Sequence, residues 1–198
     1  VNRGVLEASH RRKRKRIFPK KSSRSLAYCS ILFELSKNLK PNLRAMSRLF
    51  SPYHLKDLAF RNRIAVSPMC QYRAVDGLAN DWHRVHYASL ARGGAGLVVV
   101  EATGVSPEGR ISPGCLGLWN DAQADALRPI VEGIKTGGAV PGIQIGHAGR
   151  KASANVPWEG DDHIPEGDPR GWTPIAPSPL AYGGSLNRVP REMTREDI

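Results

Sequence analysis

Cys70 and Tyr72 stand two residues apart, just past the apolar run Arg63-Ile-Ala-Val-Ser-Pro-Met69. A thiol and a phenol could act on a bound group from there. Taken alone, a free cysteine is ordinarily a small buried apolar residue, and a loop tyrosine a packing residue with a satisfied hydroxyl. Gln144 sits in the apolar stretch Gly142-Ile-Gln-Ile145. A buried amide there needs partners, either neighbouring backbone or a ligand. His83 and His86 have HxxH spacing but no third ligand nearby in sequence, which favours a surface or core role over a metal. Arg150, in His147-Ala-Gly-Arg150, fits an ion pair and a cofactor aid equally well. Gly109, Gly114 and Gly117 read as turn residues rather than a phosphate cradle. The three cysteines, Cys29, Cys70 and Cys115, form no CxxC pair and no zinc spacing, and no secretory signal accompanies them. A reducing, cytoplasmic setting is expected, with no metal.

The net charge of +11 suggests nucleic acid until it is located. Residues 1–45 hold seven Arg and six Lys against Glu7 and Glu34, whereas residues 46–198 hold 16 basic and 16 acidic side chains. The excess therefore belongs to a basic extension, with His10-Arg-Arg-Lys-Arg-Lys-Arg16 as its centre. Such a block repels itself and stays solvated. It reads as non-native or disordered sequence ahead of a natural start at Met46, or as a transit peptide, or as a nucleic-acid arm. Residues 26–39 could form a short amphipathic helix. The balanced remainder suits a small-molecule enzyme. No apolar run reaches the roughly 20 residues that span a bilayer.

Periodicity supplies the elements that must carry these residues. Tyr53–Leu58 and Ala59–Arg63 alternate as two short strands. Arg63–Met69 reads as a buried strand ended by Pro68. Asp81 is placed to cap a helix to Arg92, with Val85, Ala88, Leu90 and Ala91 inward and Gly93-Gly94 as its stop. Gly96–Glu101 is a second apolar strand. Asp121 starts a helix through Leu127, Ile130, Val131 and Ile134, stopped by Gly137-Gly138, and Val140–Ile145 is a third strand. Thr194 fits an N-cap with Asp197 three residues on. Continuous apolar strands alternating with helices imply a parallel sheet, either doubly wound or a (β/α)₈ barrel. No GxGxxG follows the first strand, which disfavours a dinucleotide turn. In a barrel, function sits beyond the strands' C-terminal ends, here in Ser67–Asn80, Glu101–Asn120 and Gly146–Pro190.

Three stretches now act together: Arg63-Ile-Ala-Val-Ser-Pro-Met-Cys-Gln-Tyr72, Gly93-Gly-Ala-Gly-Leu-Val-Val-Val-Glu-Ala-Thr103 and Pro141-Gly-Ile-Gln-Ile-Gly-His-Ala-Gly-Arg-Lys151. In this order the chain resembles the old yellow enzyme family, in its bacterial xenobiotic-reductase-like branch with a cysteine beside the flavin. Asn155-Val-Pro-Trp-Glu-Gly-Asp-Asp162 and Ile175-Ala-Pro-Ser178 fit that branch too. The resemblance implies the N-terminal part of a (β/α)₈ barrel, with about three strands present. It implies FMN as cofactor, NADPH or NADH as reductant, and an activated alkene such as an enone as substrate. By the same resemblance Ser67, Pro68, Met69, Cys70, Ala102 and Gln144 contact the flavin, Cys70 also tuning its potential, and Tyr72 binds the substrate. Gln144 would meet the donors and acceptors of the flavin's pyrimidine edge. The Trp158–Asp162 loop would cap the site or join an interface. Full-length relatives are expected to form homo-oligomers. The family's substrate-binding His pair, its proton-donating tyrosine and its phosphate loops fall outside this sequence, so a fragment with little flavin affinity and no turnover is expected. Two rivals are an iron–sulfur flavin barrel of the dienoyl-CoA reductase kind and a non-enzymatic nucleic-acid binder acting through the basic arm.

Overall fold

A computed structural model describes residues 47–197. The expectations for the basic extension, residues 1–45, including the run at 10–16, the helix at 26–39 and Cys29, lie outside the described residues, as does a start at Met46. Among the described residues no helix is long and apolar enough to cross a membrane.

The described chain opens on a 3-10 turn at Arg48–Phe50, followed by a hairpin of β1 (Tyr53–Leu55) and β2 (Leu58–Phe60), paired antiparallel. Then β3 (Ala65–Val66) leads to helix α1 (Asp81–Arg92), β4 (Leu97–Gly104) and β5 (Leu116–Gly117). Helix α2 (Asp121–Thr136) leads to β6 (Val140–Gly146). The central strand is β4, which pairs parallel with β3 and β5 on one side and with β6 on the other. A separate parallel pair, β7 (Ile175–Ala176) with β8 (Arg191–Glu192), closes the long segment after β6. The chain reaches a single 3-10 turn at Arg195–Asp197, where the Asp197 carboxylate accepts the Thr194 N–H at 2.7 Å, the reciprocal half of the expected cap.

Both helices begin at the expected cap residue, and the cap itself lies one residue earlier. Asn80 and Asn120, not Asp81 and Asp121, accept a first-turn backbone N–H. Asp81 and Asp121 sit in the first turn, where a carboxylate suits the dipole. The inner face of α1 is His83, Tyr87 and Ala91, spaced four apart, whereas Val85 is 63% exposed. Of the apolar residues expected inward, Ala91 is buried and Ala88 and Leu90 are half-buried, while Val85 gives way to His83 and Tyr87, whose neighbour is a buried carboxylate on β4. The inner face of α2 follows the apolar spacing, with Leu127, Ile130 and Ile134 buried. These side chains, with Val98, Val100 and Leu116, form the core between helices and sheet. Each fully buried aliphatic stabilises it by about 1.5–3 kcal/mol. At the opposite end from the site, Arg61 clamps the exit of α1, donating to the Ala91 and Ala95 carbonyls.

The first strand is shorter and less covered than expected. Only Ala65–Val66 pair, and residues 61–70 alternate between exposed and half-buried. In the described chain β3 has a partner on one side only.

One irregularity governs the rest. The ladder between β4 and β6 runs Val99 to Gly142 and Val100 to Ile143, then skips Glu101 and resumes with Ala102 opposite Gln144. Glu101 is the extra residue of a bulge. Without it, Glu101 would pair with Gln144. The skip turns the carboxylate toward α1, where it is fully buried, and leaves a methyl group beside Gln144.

Candidate functional site

The C-terminal ends of β3, β4 and β6 and the loops leaving them share one end of the sheet. Between β4 and β6 lies an open cleft of about 240 Å³, lined by Ala102, Gln144, Ile145, Arg110, His147 and their neighbours. Gln144 is exposed rather than buried, and among the described residues its amide has no hydrogen-bond partner. A free donor and acceptor thus point from a strand end into the cleft. His147 closes one wall, and its Nδ1 accepts the Gly149 N–H at 3.0 Å, leaving the proton on Nε2. Gly109 permits this closure, since a Cβ there would stand 2.7 Å from the His147 ring. The cleft's size and its donor–acceptor edge fit the edge of a heteroaromatic ring, not a whole one.

The loop after β3 carries Ser67 exposed, Pro68 half-buried, Met69 exposed and Cys70 and Tyr72 half-buried. Ala102 and Gln144 line the cleft together; Ser67, Pro68, Met69, Cys70 and Tyr72 do not line it. Glu101 fastens their loop from beneath. Its Oε2 accepts the Gln71 N–H at 2.7 Å and its Oε1 the Tyr87 hydroxyl at 3.0 Å, while that hydroxyl accepts the Glu101 N–H at 2.9 Å. Tyr72 takes φ 54°, a left-handed conformation that a bulky residue adopts only when held. Its backbone packs on Gly114, and its ring meets Trp158 edge-on at 5.5 Å and 87°. Trp158, itself largely exposed, thus touches the loop after β3, and residues 158–162 do not line the cleft. Burial pushes the Tyr72 hydroxyl up to about 12, helped by the charges of Cys70 and Cys115, so it stays a proton donor at neutral pH.

The buried charges under the loop oppose each other. Burial pushes Glu101 up to about 7, against the bonds from Gln71 and Tyr87. Burial, then the charge of His86, lowers His83 to about 4. The His83 Nδ1 accepts the Asn80 N–H, so Nε2 carries the proton; it lies 3.7 Å from Glu101 and has no hydrogen-bond partner. Between about pH 4.5 and 7 the folded chain keeps a Glu101 proton that the unfolded chain has lost, so this group's stability contribution falls as pH rises. Between about pH 4 and 6.5 the unfolded chain holds a His83 proton that the folded chain lacks, so that contribution rises with pH. The two slopes offset each other where they overlap. Glu101→Gln should expose the rise: Tm should climb from pH 4.5 to 6.5 more steeply than in the wild type. Coincident profiles by circular dichroism would rule out this titration.

Arg150 makes no ion pair among the described residues and donates instead to the Leu180 carbonyl and the Ser178 hydroxyl. His83 and His86 also have fold roles, His83 as cap partner and His86 in an edge contact with Tyr87. Gly109 and Gly114 lie in turns as expected, closed by the Gly109 N–H on the Ser106 carbonyl and the Cys115 N–H on the Ser112 carbonyl, whereas Gly117 lies in β5. All three also serve close packing, since a Cβ at Gly114 would stand 2.8 Å from the Tyr72 carbonyl oxygen, and at Gly117 2.0 Å from the Trp119 ring. Sequence reasoning missed Glu101 and Tyr87. A signal existed for both: a lone carboxylate ending Leu97-Val-Val-Val-Glu101, and a His and a Tyr four apart on the next helix back.

The pattern of the NADH:flavin oxidoreductase / NADH oxidase family matches residues 48–198. An NADPH dehydrogenase of Listeria welshimeri is 47% identical over 155 residues, which are 77% of this chain and 41% of that protein. An NADH:flavin oxidoreductase of Gibberella zeae is 40% identical over 154 residues, 77% of this chain and 37% of that one. Among solved structures, an old yellow enzyme homologue from Zymomonas mobilis shares 30% identity at TM-score 0.60, covering 76% of this chain and 41% of its own. Morphinone reductase shares 26% identity at TM-score 0.61, covering 77% and 42%. The chain thus spans about two fifths of the length of these relatives, and its sheet and two covering helices are part of a (β/α)₈ barrel.

Proposed function

Since the chain belongs to the NADH:flavin oxidoreductase / NADH oxidase family, to which old yellow enzyme homologues are its structural neighbours, we propose that it supplies the first strands of an FMN-dependent, NAD(P)H-driven reductase of activated C=C bonds. The observation that carries this reading is the pairing of Ala102 with Gln144 across the bulge, which puts a small side chain and an unpartnered amide on one cleft. That pair would meet the pyrimidine edge of FMN, Gln144 giving and accepting one hydrogen bond each. Ser67, Pro68, Met69 and Cys70 would lie along the ring, Cys70 also setting its electronics. Bound FMN would supply the hydride step that links nicotinamide to substrate. Tyr72, protonated at neutral pH, would donate to the oxygen of an enone, and Trp158 would limit the space above it.

Gln144 is exposed, and β3 and β6 each have one partner in the described sheet. We expect the chain alone to retain little flavin and to show no turnover. The test expresses residues 46–198 alone and fused to the remaining barrel of a close relative. Yellow protein only in the fusion supports the reading; folded but colourless protein in both overturns the cofactor assignment. In a yellow fusion, Gln144→Leu should weaken FMN binding about tenfold or more, the effect of one or two lost hydrogen bonds, as read by flavin fluorescence on dilution. An unchanged affinity would remove Gln144 from the site.

A further inference from the structure

Gln71 lies between Cys70 and Tyr72, and three of its polar atoms are engaged, each by a different part of the fold. Its N–H donates to Glu101 Oε2 on β4 at 2.7 Å. Its Nε2 donates back to the Met69 carbonyl at 2.8 Å, a bond that spans Cys70. Its Oε1 accepts the Trp82 indole N–H of α1 at 3.3 Å. A matching tie lies on the other side of Tyr72. The Asn80 Nδ2 donates to the Arg73 carbonyl at 2.7 Å, and the Arg73 guanidinium stands 5.0 Å from the centre of the Trp82 ring. Asn80 also caps α1, accepting the Trp82 N–H at 3.0 Å. Residues 71 and 73 are thus both fastened to the start of α1, and the residue they bracket, Tyr72, is the one held at φ 54°. A bulky residue keeps that conformation only when its surroundings over-determine it.

We propose that Gln71 is a positioning residue: its side chain, bridging the Met69 carbonyl and Trp82, fixes the turn at Tyr72 and so the direction in which the Tyr72 hydroxyl is presented to substrate. The proposal rests on the reading of Tyr72 as a substrate-binding residue, and Gln71 acts through Tyr72 rather than on the substrate. The bond to Glu101 belongs to the Gln71 backbone, so it survives a change of side chain. Glu101 therefore anchors the loop to the sheet, and the Gln71 side chain sets its orientation against the helix. Mutation can separate the two duties. Trp82 shares the second of them. Its indole N–H meets Gln71 while its ring carries Arg73, so one side chain of α1 holds the loop on both sides of Tyr72. A ring without the N–H would lose the first contact and keep the other.

The test compares the full chain with its Gln71→Met, Trp82→Phe and double variants. Methionine keeps the length of the side chain without its polar atoms, and phenylalanine keeps a ring beside Arg73 without the N–H. Each protein is treated with iodoacetamide, and alkylation of Cys70 and Cys115 is followed by peptide mapping. Cys70 is half-buried in the loop that Gln71 holds, and Cys115 is buried. A loosened loop frees the first thiol, whereas general unfolding frees both. Cys70 should react about fivefold faster or more in Gln71→Met, the effect of one or two lost hydrogen bonds, with Cys115 unchanged. Trp82→Phe should give a smaller rise, and the double variant no more than Gln71→Met alone, as partners in one bond require. Equal Cys70 rates in all the proteins, or a parallel rise at Cys115, would overturn the proposal. In the yellow fusion, Gln71→Met should raise KM for cyclohex-2-enone about as much as it raises the Cys70 rate, with a smaller change in kcat. An unchanged KM would overturn the claim that Gln71 directs Tyr72. A colourless fusion beside a faster Cys70 would strike the flavin reading alone and leave the hold of Gln71 on the loop standing.

Discussion

Tyr87→Phe should lower Tm by about 6–12 °C. The substitution removes one oxygen and leaves almost no cavity, so packing changes little. That oxygen is used twice, donating to Glu101 Oε1 and accepting the Glu101 N–H, and all the atoms involved are buried. Leaving a buried N–H and a carboxylate oxygen unsatisfied costs about 3 kcal/mol together. At this chain length 1 kcal/mol corresponds to about 2–4 °C. The Tyr87 bond also pulls the Glu101 pKa down, so its loss should move the carboxyl further up. Thermal melts at pH 6 and 8 read both effects: the deficit should be larger at pH 8, where more of Glu101 is ionised and unbonded. A shift under 2 °C at both pH values would show that water replaces the hydroxyl and that the network is not what secures the loop.

Gly114→Ala should cost about 1–3 kcal/mol, the usual range for forcing a methyl into filled space. The added Cβ would stand 2.8 Å from the Tyr72 carbonyl oxygen and 2.9 Å from its carbon. Both are backbone atoms, and that backbone is already held at φ 54°. The loop carrying Cys70 and Tyr72 has to move, so the Tyr72–Trp158 contact should loosen and the tryptophan emission shift to the red. Gly146→Ala is the control, since nothing lies within 4 Å of a Cβ there. Equal stability of the two variants would show that the loop yields freely.

The sequence made the parallel architecture readable because apolar strands and capped helices are local patterns. The two helices end where paired glycines put them, and the third strand needed one added residue, Gly146. The proposed site residues Cys70, Tyr72, Ala102 and Gln144 are suggested only by the resemblance; their side chains taken singly carry no chemistry that marks them out. What stayed hidden was non-local. Nothing near Val85 in the chain announces that a carboxylate across on β4 will pull His83 and Tyr87 inward instead. The short pairings of β5, β7 and β8 span two residues each, too few to carry a period.

The skipped residue on β4 also has a meaning for how such a chain can change over generations. Before Glu101 the buried side chains are Val98 and Val100, on even numbers; from Glu101 on they are Glu101 and Thr103, on odd ones. The strand therefore reads in two frames, one for the core and one for the cleft, joined at a single codon. Point substitutions on either side of the joint act in one frame and spare the other. Deleting that codon leaves a regular ladder, with Val100 still opposite Ile143 and Ala102 still opposite Gln144, while α1 loses its carboxylate. The joint can thus be lost without moving the pairing of Ala102 with Gln144, and what goes with it is the tie between the strand, α1 and the loop after β3.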